Sequence, residues 1–125
     1  MSASNARVLL VEDEQSAAAV LKAILELEGF NVAVAANGRR ALDLLENPIP
    51  SLIITDYMMP VMDGVQMVTA IRAMPAYESI PIVMTSGVGK DELGPCAKLL
   101  SAFLRKPFAI EQLLDTISCL LPRSE

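Results

Sequence analysis

The sequence predicts an α/β fold, a parallel β-sheet wrapped by helices, and three observations carry that prediction. Short apolar runs alternate with stretches of helical period from one end of the chain to the other. The runs are continuous, as in Arg7 to Val11 and Leu52 to Ile54, which is the pattern of strands covered on both faces. Several runs also end in acidic, hydroxyl or lysine residues, and in a parallel sheet such ends all point to one rim.

The first strand is Arg7 to Val11, and Gln15 to Leu27 then forms a helix that places Ala17, Val20, Leu21 and Ile24 on one inward face, with Gly29 as its stop. Asn31 to Ala35 is a second strand. Asn37 caps a short helix through Ala41, Leu42 and Leu45. Pro48 and Pro50 mark a loop, since each lacks a backbone donor and restrains its predecessor. Leu52, Ile53 and Ile54 run into Thr55 and Asp56 as the third strand, and Asp63 and Gly64 open a helix carrying Val65, Val68 and Ile71. Ile82 to Met84 form the fourth strand, which ends in Thr85 and Ser86. Between residues 87 and 100, Gly87, Gly89, Gly94 and Pro95 disfavour a continuous helix, so a fourth helix is expected mainly over Cys96 to Leu100. Ala102 to Arg105 is the fifth strand, and Ile110 to Leu121 the closing helix, with Ile110, Leu113, Leu114 and Ile117 inward.

A chain of 125 residues, 53% apolar, has material for one core and is read as one domain over 1–125. A net charge of -5 argues against a surface that tracks nucleic-acid phosphates. The apolar runs are far shorter than the roughly 20 residues of a membrane span, and residues 1–7 have no apolar stretch of the secretory type, so cytoplasmic residence is expected. Cys96 and Cys119 lack the spacing and partners of a structural zinc site and read as small buried hydrophobes. Histidine is absent, which removes Ser-His-Asp and Cys-His catalysis and leaves carboxylates, hydroxyls and lysine to do any chemistry.

Those residue types stand at strand ends: Glu12 and Asp13, then Asp56, then Ser86, then Lys106. Carboxylates brought within about 5 Å repel by roughly 3 kcal/mol at an effective dielectric near 20, so a compensating cation is required. An all-oxygen site with one or two carboxylates and several waters suits Mg²⁺, and Lys106 adds a second positive charge able to grip a phosphoryl oxygen. Asp56 can then serve as a nucleophile toward phosphorus, and the Ser86 hydroxyl as a donor that reports the arriving group. Taken singly, each residue has a plainer reading: a helix-opening acid pair, a loop acid, a turn hydroxyl, a surface lysine. Their common position favours the shared site. Met58, Met59 and Met62 read as loop packing, because a soft-metal site would need partners that are missing.

Four segments carry a resemblance that spans essentially the whole chain: LLVEDE, IITDYMMPVMDG, IPIVMTSG and LRKPF. In this order at strand ends, they resemble two-component response-regulator receiver domains. The resemblance implies a flavodoxin-like, doubly wound five-stranded parallel sheet of order 2-1-3-4-5 with helices on both faces. It implies Asp56 as phospho-acceptor, Glu12, Asp13, Asp56 and the Met58 backbone carbonyl as Mg²⁺ ligands, and Lys106 on the phosphoryl group. It also selects Ser86 over Thr85 as the switch hydroxyl, makes Phe103 the switch aromatic, and implies a cis bond between Lys106 and Pro107. A sensor histidine kinase or a histidine phosphotransfer protein would supply the phosphoryl group. The signal would leave through the fourth-helix, fifth-strand and fifth-helix face to a protein target, with the chain as a monomer or a phosphorylation-dependent dimer. Met58 and Val88, both apolar, flank the acceptor in such a domain and imply slow self-dephosphorylation, so the chain is not read as an enzyme. A phosphatase of the haloacid-dehalogenase type would need a second acid two residues after Asp56, where Met58 stands. A binding module indifferent to phosphorylation is disfavoured by the complete acidic set.

Overall fold

The computed structural model describes residues 6–46 and 48–121. Five parallel strands, β1 (Arg7–Val11), β2 (Asn31–Ala35), β3 (Leu52–Asp56), β4 (Ile82–Ser86) and β5 (Ala102–Arg105), form one sheet in the order β2-β1-β3-β4-β5. The order and the strand bounds agree with the sequence reading. β3 and β4 lie inside the sheet and are buried at every residue, which explains why their sequences are apolar without alternation. In-register pairs such as Leu10 with Ile54 and Asp56 with Thr85 bring the strand ends to a common rim.

Among the described residues four α-helices cover the two faces: α1 (Gln15–Leu27), α2 (Gly38–Asp43), α3 (Gly64–Arg72) and α4 (Ile110–Leu120). One core layer joins Leu9, Ile53, Ile82 and Met84 to Met67, Val68 and Ile71 of α3. The other joins Val8, Leu10, Ile54 and Val83 to Leu25 of α1 and to Leu113 and Ile117 of α4. Each fully buried Leu or Ile stabilises the fold by about 1.5–3 kcal/mol.

Local chemistry sets the helix ends. The Glu14 carboxylate accepts the Ala17 N–H at 2.8 Å to start α1. At its end Gly29 takes φ 98, its N–H reaches the Glu26 carbonyl and the Phe30 N–H reaches that of Leu25. That pair of bonds is a Schellman stop, which needs the left-handed residue glycine supplies. Asn37 accepts the Arg40 N–H at 2.9 Å to start α2. Asp63 and Gln66 exchange side-chain and backbone bonds of 2.9 Å at the start of α3, a capping box.

Four sequence expectations need correction. The inward face of α1 is built on Ala18 and Leu25, both buried, with Leu21 packed on the same core layer as Leu25 as expected, whereas Val20, expected inward, is 58% exposed. Apolar residues occur on two faces of α1, so periodicity alone could not choose between them. Helix α2 stops at Asp43, although Leu45 beyond it is buried. The segment Lys90–Leu99 is a 3₁₀ helix broken at Gly94, with φ 62, and the expected α-helix over Cys96 to Leu100 does not form. Pro95 cannot donate to an α-helical ladder, while buried Leu93 and Cys96 fix the segment to the core from both sides of the break. Cys119 is exposed, and only Cys96 is the buried small hydrophobe expected of both. The bond between Lys106 and Pro107 is cis. Among the described residues no helix is long and apolar enough to cross a membrane.

Candidate functional site

The rim of the sheet gathers the acids. Asp56 is the last residue of β3, and Glu12 and Asp13 follow β1 directly. Because β1 and β3 are adjacent and parallel, with Val11 beside Thr55, their ends emerge together. Carboxylate oxygens of Glu12, Asp13 and Asp56 lie within 4.8 Å of one another. Glu12 and Asp56 are buried and Asp13 is exposed.

At that separation two carboxylates repel by about 3.5 kcal/mol at an effective dielectric near 20, less for the exposed Asp13. Lys106, just past β5, offsets part of this, with Nζ 3.0 Å from Asp56 Oδ1 and 4.0 Å from Glu12 Oε1. The Tyr57 N–H also donates to Asp56 Oδ1 at 2.9 Å, and the Glu14 N–H to Glu12 Oε2 at 3.1 Å. One lysine against three acids leaves net negative charge, and an all-oxygen donor set of this kind fits a hard divalent cation.

Burial, reinforced by the charges of Asp56 and Asp13, pushes the Glu12 carboxyl above its ordinary 4.5, against the opposing pull of the Glu14 N–H and Lys106. A carboxyl raised in this way holds its proton more tightly when folded. Its charge therefore works against stability at neutral pH, and the penalty is relieved as pH falls through the raised value toward 4.5. In chelator-treated solution Glu12→Gln should unfold at higher denaturant concentration than the wild type at pH 7, with the two curves converging as pH approaches 4.5. A variant less stable than wild type at pH 7 would contradict this assignment.

The loop from β3 to α3 is tightly built. The Gly64 N–H donates to the Tyr57 carbonyl at 2.8 Å, and a methyl group at Gly64 would collide with the Asp56 carbonyl oxygen. Val61 takes φ 69 while the Met62 N–H closes on the Pro60 carbonyl at 2.7 Å, a γ-turn that a β-branched residue adopts only under strain. Met58, two residues past Asp56, is 65% exposed.

The two hydroxyls at the end of β4 separate by strand parity. Thr85 shares the face of Val83 and lines a groove with Lys106 and Phe108, whereas Ser86 shares the face of Ile82 and Met84. Ser86 is buried and its Oγ accepts the Val88 N–H at 2.9 Å, so its own proton remains free to donate elsewhere. Phe103 sits beside Met84 in the sheet, half-buried against the core layer of α3.

Sequence reasoning missed Arg72, whose Nε donates to the Leu99 carbonyl at 3.0 Å and whose Nη1 donates to that of Glu78 at 2.8 Å. It also missed Arg105, whose Nε donates to the Gly87 carbonyl at 3.1 Å. Neither has a motif, because each bonds to backbone that only folding brings near. A groove of 700 Å³ beside the acids is lined by Ala17, Val20 and Leu21 of α1 and by Lys106, Phe108 and Ile110.

A family model described as the response regulator receiver domain matches residues 8–118. This chain belongs to that family. Among curated proteins, the receiver is 37% identical over 120 residues to the transcriptional regulatory protein CpxR of Escherichia coli K12, covering 94% of this chain and 50% of CpxR. It is 35% identical over 117 residues to the transcriptional regulatory protein PrrA of Mycobacterium tuberculosis, covering 94% of this chain and 50% of PrrA. The chain thus spans about half the length of these relatives. Among solved structures, the receiver domain of a signal transduction histidine kinase from Syntrophus aciditrophicus superposes with TM-score 0.86 at 30% identity, covering 96% of this chain and 95% of that one. TrrA of Thermotoga maritima, solved in complex with Mg²⁺ and BeF, gives TM-score 0.84 at 25% identity, covering 93% and 99%. As a receiver the chain is a signalling switch of two-component systems, with an acidic cluster suited to a metal ion.

Proposed function

We propose that residues 1–125 form one receiver unit that takes a phosphoryl group on Asp56 from the phosphohistidine of a sensor kinase or phosphotransfer protein. The observation that carries this reading is the ammonium of Lys106 3.0 Å from a buried Asp56 that shares its rim with two further carboxylates. Glu12, Asp13, Asp56 and the Met58 carbonyl would hold Mg²⁺, which when bound neutralises negative charge on the acids and on the phosphoryl oxygens. A carboxylate oxygen of Asp56 forms the new O–P bond, the P–N bond breaks, and its electron pair leaves with the imidazole of the donor. Lys106 grips a phosphoryl oxygen, and the free proton of Ser86 donates to another. That contact would draw on Ser86 and Phe103 and change the face formed by Lys90–Leu99, β5 and α4, which a downstream protein reads.

The apolar groove between α1 and the segment Lys106 to Ile110 supports a protein donor, because Glu12 and Lys106 of the acidic rim line it together with the exposed Val20. A net charge of -5 supports a protein target over DNA. The test is incubation with a phosphorylated histidine phosphotransfer protein, with Mg²⁺ or with a chelator, read as an intact-protein mass increase. The increase should appear only with Mg²⁺; its appearance at equal rate under chelation would overturn the reading. Once donor is removed, the modification should outlast the scale of seconds at neutral pH, because exposed Met58 and Val88 offer no polar side chain to orient an attacking water. Loss within seconds would refute that part.

A further inference from the structure

We propose that Arg105 is a positioning residue that holds the loop after β4 in the conformation in which Ser86 bonds to Val88, so that the switch of Ser86 must work against it. The inference rests on the acceptor reading above. The Ser86 side chain is held in direction although its proton is unengaged: its Oγ accepts the Val88 N–H at 2.9 Å, a serine turn. Gly87 lies between the two bonded residues, and its carbonyl is held by Arg105 Nε at 3.1 Å. Arg105 is the sheet partner of Ser86, and the Lys106 N–H donates to the Ser86 carbonyl at 2.7 Å. One end of β5 therefore grips the turn through both backbone and side chain.

The guanidinium lies over the loop, since a methyl group built on Gly89 would sit 3.6 Å from Arg105 Nη1. The backbone it holds has room to move. A methyl group on Gly87 would meet nothing within 4 Å. Turning the Ser86 hydroxyl toward a phosphoryl oxygen opens the serine turn and carries the Gly87 carbonyl with it. The Arg105 bond, made while the serine turn is closed, then counts against the phosphorylated state. Removing it should favour that state.

The experiment titrates beryllofluoride at saturating Mg²⁺ into the full chain and into Arg105→Ala and Arg105→Lys, following the Gly87 and Gly89 amide resonances. Both variants should reach half-saturation at roughly threefold lower beryllofluoride, the effect of one modest exposed hydrogen bond. With neither Mg²⁺ nor beryllofluoride present, both should exchange the amide protons of residues 87–89 faster than the wild type. An unchanged or higher midpoint in Arg105→Ala overturns the proposal, the higher value marking Arg105 as an electrostatic aid to the phosphoryl group. Arg105→Lys behaving as wild type would assign the effect to charge and also overturn it. A wild-type chain with no saturable response would remove the acceptor reading itself. The exchange measurement without ligand distinguishes that failure from a failure of Arg105 to hold the loop.

Discussion

Asp56→Asn is expected to take up no phosphoryl group while keeping its fold. The amide has no anionic oxygen to offer phosphorus, and loss of a covalent nucleophile lowers the rate by more than roughly a thousandfold. The fold should survive because an amide is isosteric and can still accept the Tyr57 N–H that meets Oδ1 at 2.9 Å. Two opposing electrostatic changes accompany it. The pairing with Lys106 at 3.0 Å is lost, and so is the repulsion of Asp56 by Glu12 and Asp13 within 4.8 Å. Because the two acids outnumber the one lysine, metal-free Asp56→Asn should unfold at no lower urea concentration than wild type. Persistence of the mass increase in this variant would move the modification to another residue. A large drop in the unfolding midpoint would instead mean that the pairing with Lys106 outweighs the repulsion.

Gly64→Ala should destabilise the receiver by about 2–3 kcal/mol, the upper part of the roughly 1–3 kcal/mol cost of overpacking, because the contact is with backbone. Alanine normally favours a helix over glycine by about 1 kcal/mol, so intrinsic propensity alone predicts the opposite sign. The contact wins because the atoms in the way are the Asp56 carbonyl oxygen and, at 3.1 Å, the Tyr57 Cα, both backbone. Only Met84 Cε, at 2.9 Å, belongs to a side chain that can swing aside. The strain falls on Asp56, the proposed acceptor, so slower phosphoryl uptake should accompany the lower urea midpoint. Gly87→Ala is the matched control, since its methyl group would meet no neighbour within 4 Å and its stability should stay within about 0.5 kcal/mol of wild type. Equal effects at the two positions would show that the close approach of α3 to β3 does not decide the cost.

The strands and most helix bounds were legible because each depends on a local code. The buried runs of β3 and β4, the caps at Asn37 and Asp63 and the stop at Gly29 all act within a few residues of themselves. Glu12, Asp13, Asp56 and Lys106 were legible for a related reason: parallel strands place their carboxyl ends on one rim, so strand-end positions predict neighbours in space. The inward face of α1 was legible only at Leu21, because Ala17, Val20 and Ile24 continue as good an apolar stripe from it as Ala18 and Leu25 do. Only docking against Val8, Leu10 and Leu52 selects the second stripe and leaves Val20 in the groove.

What the sequence by itself determined is the order of elements and the company of acids and lysine at their ends, because backbone propensity and burial pattern are written residue by residue. Tertiary structure alone decided that Lys90–Leu99 winds as broken 3₁₀ turns anchored by Leu93 and Cys96. It alone placed Arg72 on the Leu99 carbonyl and Arg105 on that of Gly87. Those contacts join residues 27 and 18 positions apart through backbone carbonyls. A carbonyl is common to every residue and leaves no mark in a sequence, so its partner is fixed only when the sheet and helices have brought the two together.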